Sequence, residues 1–401
     1  MVVANGGTAL HEIHNSERKS FRSCRRRWNW AYREGYVPME REERFDFGIA
    51  VHRGMEVFYT PATWDTTDTD EKLAAAIEAF LLECDLQRKL YLEHHKLNEL
   101  PLELADAYQN RLDLGSGMLG YHAQYIHPEF DGWFRPVAVE IPFEVTLDDP
   151  DNPSQPLRCL DSPHCGQVHS NDPESDDSLV VYSGRVDALC EDKNNGGYYV
   201  FDWKTAATIS KDDEFLQLDD QVGGYCWALA VVLNLDIRGF IYAEMRKDYP
   251  RPPRLLKRIQ KGCLFSTSKV QSTNLDVFEP YVARHDPQAF IRGDYDEYLE
   301  FLRGAQAKLF SMRHVIVKTD TELEQIGGNI AEEAADMVGR PRTYPNISRF
   351  QCLQCKYRQP CIGTFRDESV DLLLEGGFIQ TDRRHWMDRS RHEQMEEVTN
   401  D

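Results

Sequence analysis

The chain has 401 residues, is 41% hydrophobic, and carries 67 Asp and Glu against 46 Lys and Arg, a formal charge of −21. That length suits one large domain with insertions or two modest ones, and the apolar content suffices for a sizeable core. The charge excludes a protein that coats nucleic acid through a uniformly basic surface, and no run of about eighteen apolar residues predicts a membrane span.

The first residues lack the apolar stretch of a secretion signal. Ten cysteines without such a signal point to reduced thiols in a cytoplasmic setting and to metal binding, not to a disulfide scaffold. In chain order, residues 15–34 are predicted as a helix capped by Asn15 or Ser16, with Phe21, Cys24, Trp28 and Ala31 at helical spacing. Residues 45–59 form a second helix, and about 60–130 a helical insertion. Strand signals begin at Trp133 and continue through Val137 to Val145. Residues 148–178, rich in Asp, Pro, Ser and Asn, are expected as an irregular loop. Two strands near 180–190 and 198–204 flank the turn signal EDKNNGG. A helix over 213–233, a strand in IRGFIYAEMRK and a helix over 294–315 follow. The cysteine-bearing segment 346–365 closes one domain spanning 1–365, and 366–401 is expected as a charged tail.

The hairpin carries the chemistry. Asp202 and Lys204 share one strand face, while Phe201 and Trp203 face the other way. Asp187 lies on the partner strand, within reach of Asp202 across the hairpin. Carboxylates brought together repel unless a cation neutralises them, and magnesium favours oxygen ligands while keeping waters for chemistry. D-x-K alone would fit any exposed polar hairpin. G-R-V-D, a tight turn and an apolar-D-x-K-T strand together are more specific.

Gly48, His52 and Glu56 recur at four-residue steps on one helical face, as do Gln221 and Tyr225 on another. Glu140 and Glu144 share a face of the preceding strand, and the sequence does not choose between them. Cys24 sits among Arg18, Lys19, Arg22, Arg25, Arg26 and Arg27, and Cys352, Cys355 and Cys361 form a C-x2-C-x5-C run. Four thiolates have the ligand count of a zinc or iron-sulfur centre. Cys159, His164, Cys165 and His169 offer a second zinc-binding composition. A second basic stretch holds Arg246, Lys247, Arg251, Arg254, Lys257, Arg258 and Lys261.

These motifs resemble the PD-(D/E)XK nuclease superfamily, in the branch of RecB-type nuclease domains and Cas4-like iron-sulfur exonucleases. Gly184-Arg185-Val186-Asp187 matches the first catalytic strand and Asp202-Trp203-Lys204 the second. The histidine helix matches at Gly48, His52 and Glu56, and the Q-x3-Y helix at Gln221 and Tyr225. The resemblance implies an α/β, restriction-endonuclease-like fold, a central mixed β-sheet flanked by helices. It implies Mg2+ or Mn2+ held by His52, Asp187 and Asp202, with Lys204, Gln221 and Tyr225 completing the catalytic set. It also implies a structural 4Fe-4S cluster on Cys24, Cys352, Cys355 and Cys361, clasping the chain ends, with zinc as the alternative. The implied activity is metal-dependent DNA exonuclease action at single-stranded ends. The alternatives are a nuclease subunit working with recombination, repair or CRISPR-adaptation proteins, or a non-catalytic DNA-end-binding protein. No P-loop signature is present, so the chain is not itself a helicase.

Overall fold

A computed structural model describes residues 10–39, 43–159, 178–209, 213–304, 307–339, 341–366 and 368–380. Strand β1 (Leu10–Ile13) leads into helix α1 (Asn15–Ser23). The helix expected over 15–34 breaks at Cys24, whose extended backbone (φ −163°, ψ 108°) separates α1 from α2 (Arg25–Trp28). Neither Asn15 nor Ser16 caps α1; His14 holds that position without a side-chain cap bond. The break lets Phe21 and Trp28 pack edge to face, ring centroids 4.8 Å apart, with the Trp28 indole donating to buried Glu17 at 3.0 Å. Burial of two large aromatics outweighs helix continuity through a run of like charges.

Strand β2 (Tyr36–Pro38) precedes α3 (Glu43–Phe58), α4 (Thr69–His94) and α5 (Leu102–Tyr121). Next come β3 (Phe134–Thr146), β4 (Ser178–Asp192), β5 (Tyr198–Ala206), α6 (Asp220–Leu233) and β6 (Ile237–Arg246). A hairpin of β7 (Leu255–Gln260) and β8 (Cys263–Phe265) leads to α7 (Leu275–His285). Strand β9 (Ser311–Val317), α8 (Asp320–Val338), α9 (Val370–Glu375) and β10 (Phe378–Gln380) complete the described chain.

The main sheet is mixed. Strand β4 pairs parallel with β1 and antiparallel with β3 and β5; β5 runs parallel to β6, and β6 antiparallel to β9. The β4–β5 turn forms because Asp192 Oδ1 accepts from Asn194 N at 2.8 Å while Gly196 (φ 65°) and Gly197 (φ 84°) take left-handed backbone. One face of the sheet packs Val186, Val200 and Phe240 beneath α6 and α8; the other packs Phe201, Trp203 and Ile241 beneath α3, α4 and α5. The site residues therefore lie on a sheet sandwiched between two helical layers.

Three further expectations change. The helix over 294–315 stops at Arg303, and residues 311–317 form β9 instead. His314 and Ile316 are buried while Val315 and Val317 are exposed, the two-residue period of an edge strand. The 213–233 helix is interrupted before Asp220, where Asp219 Oδ1 accepts from Gln221 N at 2.8 Å and caps α6. The stretch after 366 is not all tail: β10 pairs antiparallel with β2, and Phe378 stacks on Tyr357 at 4.7 Å. Buried Leu374 and Phe378 supply the apolar anchor.

The irregular loop contains a two-stranded β segment, Asp148–Asp149 with Asn152–Pro156. Cys159 is buried and disulfide-bonded, which removes it from a second zinc site. His164, Cys165 and His169 lie outside the described residues. Among the described residues no helix is long and apolar enough to cross a membrane.

Candidate active site

The β4–β5 ladder runs from Glu191↔Tyr198 to Ala188↔Phe201 and stops there. The next pair would be Asp187 and Asp202, but the strands part. The Trp203 N–H donates to Asp187 Oδ2 at 2.9 Å, so a side chain replaces the lost ladder bond. Asp187, Asp202 and Lys204 line this fork. Asp202 is 1% exposed, and Lys204 Nζ lies 2.9 Å from its Oδ1 and 2.7 Å from its Oδ2. Phe201 and Trp203 point into the opposite core, as strand alternation predicts.

The electrostatics follow from burial. Desolvation, then repulsion from Asp202, pushes Asp187 well above the usual carboxylate range. Asp202 is raised by burial, against the pull of Lys204. Burial opposes the charge on Lys204, yet Asp202 and Asp187 outweigh it and hold the lysine above its ordinary value. The pair is thus a carboxylate set with one cation to offset two anions. Asp187→Asn removes one of them. It is expected to stabilise the metal-free protein by about 1 kcal/mol while abolishing metal-dependent activity. For a carboxylate raised in the folded state, stability falls as pH rises from the ordinary value through the raised one. Asp187→Asn should flatten that limb in melts with EDTA; an unaltered pH profile would count against the repulsion.

Helix α3 brings His52 Nδ1 to 3.4 Å from Asp187 Oδ2, with its ring edge-on to Trp203. Glu56 instead pairs with Arg53 on its own helix. From α6, Gln221 Nε2 donates to Asp202 Oδ1 at 2.9 Å, and Tyr225 is hydrogen-bonded to Gln221. Burial and the two carboxylates raise the Tyr225 hydroxyl. The glycines between them answer to packing: a Cβ on Gly223 would lie 2.7 Å from Ile326 Cδ1, and one on Gly224 2.6 Å from the Tyr182 hydroxyl. Their absence lets α6 sit close to α8 and the sheet.

Two features escape sequence reasoning. Glu140 has φ 49°, a left-handed backbone unusual for a side-chain-bearing residue. Flanking pairs Ile141↔Val186 and Val139↔Ala188 pack into opposite cores, so both strands change face around Glu140 and Asp187. Glu140 adds its charge to the field on Asp187 and pairs with Arg185 at 3.2 Å, whereas Glu144 is exposed. The second feature is a buried network behind the sheet. Asp131 takes Arg313 at 3.2 Å and His127 at 3.1 Å, and Tyr59 donates to it. Only the acidic and aromatic residue types were visible in sequence; their convergence was not.

The oxygen donors at the fork suit a hard divalent cation, which typically takes one or two carboxylates and fills its shell with water and phosphate oxygens. Among the described residues no group of three or more His, Cys, Asp or Glu side chains is arranged to hold a metal by itself. That leaves His52 beside Asp187 and not in a formed triad. Cys24, Cys352, Cys355 and Cys361 are free thiols. Burial raises the Cys355 thiol, with Cys24 and Cys352 adding to the shift. The chain ends are joined by the β2–β10 pairing, by Tyr357 donating to the Tyr36 carbonyl, and by Arg25 bonding Asp336 at 2.6 Å.

No curated protein matches the chain. A family model of the PD-(D/E)XK nuclease superfamily matches residues 15–362, which includes the fork, the His52 helix and the Gln221–Tyr225 helix. Members of that superfamily are generally metal-dependent nucleases, usually with Mg2+ or Mn2+. With this match over most of its length and the mixed sheet that places Asp187, Asp202 and Lys204 together, the chain belongs to the PD-(D/E)XK nuclease superfamily.

Proposed function

We propose that the chain is a metal-dependent deoxyribonuclease that removes nucleotides from single-stranded DNA ends. The observation that carries this reading is the parting of β4 and β5 at two carboxylates, Asp202 buried and Asp187 half-buried, with Lys204 against Asp202. A pure binding protein has no use for that costly arrangement. A divalent cation bound there supplies Lewis-acid polarisation of the phosphate and a water of lowered pKa. Lys204, kept protonated by its two neighbours, acts as a fixed positive charge toward the attacking water or the developing phosphorane charge. Gln221 holds Asp202 Oδ1, and Tyr225 holds Gln221, so the carboxylate keeps one orientation. His52 does the same for Asp187.

The test is digestion of end-labelled linear and closed circular single-stranded DNA with Mg2+, Mn2+ or EDTA. The linear strand should shorten from its ends, the circle should survive, and EDTA should stop the reaction. Cleavage of the circle overturns the exonuclease assignment; no cleavage with either metal overturns the nuclease.

An iron-sulfur cluster at Cys24, Cys352, Cys355 and Cys361 is a separate proposal. It rests on the C-x2-C-x5-C pattern and on the influence of Cys24 and Cys352 on Cys355. Iron and acid-labile sulfide at about four each per chain are expected; zinc in their place, or no metal, overturns it.

A further inference from the structure

We infer that the β7–β8 hairpin is a finger that grips the unpaired strand of the substrate as it leaves the active site. This inference rests on the nuclease reading and extends it to the substrate's uncut portion.

The hairpin is continuous with the site. Lys204 lies opposite Glu244 on β6, which ends two residues later at Arg246. Lys247 N donates to the Ala206 carbonyl at 2.8 Å, tying the ends of β5 and β6 together. From that point the chain carries seven cations over residues 246–261, with Asp248 as the sole acid. In a chain of net charge −21 this is a concentrated reversal of sign. At the base Arg251 lies near Asp248, which also holds Lys308. Farther out, Arg254, Lys257, Arg258 and Lys261 are all exposed, and no ion pair is seen for them among the described residues.

One strand of the hairpin is anchored and the other is presented. Cys263 and Phe265 of β8 are buried against Phe278, Tyr295 and Tyr298, and Asp286 accepts from Leu264 N at 2.9 Å. On β7, by contrast, Leu255 is 63% and Ile259 66% exposed. The register shifts between Leu255 and Gln260, and Leu255, Lys257, Arg258 and Ile259 are all exposed along this bulged strand, so apolar and cationic groups are interleaved. A phosphodiester backbone complements the cations. The bases of an unpaired strand complement Leu255 and Ile259, whereas a duplex hides its bases in the stack.

The tip supports the same conclusion. Lys261 (φ 49°) and Gly262 (φ 86°) both take left-handed backbone, as a tight two-residue hairpin turn requires. Asn or Asp suits the first of those positions better than lysine. The turn therefore does not account for Lys261, and its charge does.

The experiment measures binding of labelled oligothymidylate to the full chain in EDTA across a salt series. The variants are Lys257→Ala/Arg258→Ala/Lys261→Ala together, and Lys261→Asn alone. At about 0.7 counterion per single-strand phosphate contact, the triple variant should lower the log–log salt slope by about 2. Its affinity near ~0.1 M salt should fall by on the order of a hundredfold. Lys261→Asn should weaken binding while leaving the melting temperature equal or higher, since asparagine suits the turn. Affinity and slope matching the parent in both variants would overturn the finger, as would a parent that fails to bind the strand. The nuclease reading is checked apart from this, by whether the parent hydrolyses bis(p-nitrophenyl) phosphate with magnesium.

Discussion

Lys204→Ala is expected to lower metal-dependent DNA cleavage by on the order of a thousandfold, the usual worth of one charged group aimed at a developing anion. Lys204 Nζ lies 2.7 Å from Asp202 Oδ2, and Asp187 also contributes to its raised pKa. Its removal takes away the ammonium facing the two carboxylates, while Gln221 still donates to Asp202 and His52 still lies beside Asp187. The variant should consequently melt at lower temperature than the parent in EDTA, and magnesium should recover more stability in the variant than in the parent, because the cation replaces the missing charge. Single-turnover cleavage of end-labelled DNA, with melts in EDTA and magnesium, checks both statements. Parent-like cleavage would remove Lys204 from the catalytic set, and magnesium-independent melting would remove the carboxylates as its ligands.

Arg313→Met should be the most destabilising single change outside the site, costing about 3–5 kcal/mol, because it strands a buried anion. Arg313 reaches from β9 to Asp131 and to the Tyr59 hydroxyl, 2.8 Å away, and its guanidinium lies 4.9 Å from the Phe201 ring centroid. Asp131 is 1% exposed. Burial works against its charge, but Arg313 and the bond from His127 prevail and hold it below the usual carboxylate range. Adding Asp131→Asn to Arg313→Met should recover part of the loss, since the unpaired charge is then gone. Urea unfolding midpoints test this; a double variant no more stable than Arg313→Met would argue that packing and not charge is at stake. The same network sets an acid limit. Desolvation pushes His122 from 6.5 down to about 3. The unfolded chain therefore binds the extra proton first, and stability falls as pH drops from about 6.5 toward 3. Asp131, depressed in the folded state, adds its own loss as pH falls through its lowered value.

The carboxylate hairpin and the helix carrying Gln221 and Tyr225 were legible in sequence for local reasons. Strand alternation alone puts Asp202 and Lys204 on one side and Phe201 and Trp203 on the other. The Asn-Asn-Gly-Gly turn fixes the register that brings Asp187 opposite, and four-residue spacing puts Gln221 and Tyr225 on one helical face. Each inference spans fewer than about twenty residues, a range over which backbone geometry repeats predictably. Strand β9 reads as helix in sequence because its short apolar alternation follows a true helix closely, with Gly304 as the sole Gly or Pro break between them.

Residue order along the chain thus determined the paired-carboxylate hairpin, the amphipathic helices around it and the sharp basic run at 246–261. Only the tertiary structure decided that Glu140 and not Glu144 faces Asp187, that Asp131 and Arg313 meet behind the sheet, and that the chain ends are joined by β2 and β10. Those outcomes depend on contacts between segments far apart in sequence. Such contacts are selected by burial and charge compensation in the assembled fold, and no local periodicity encodes them.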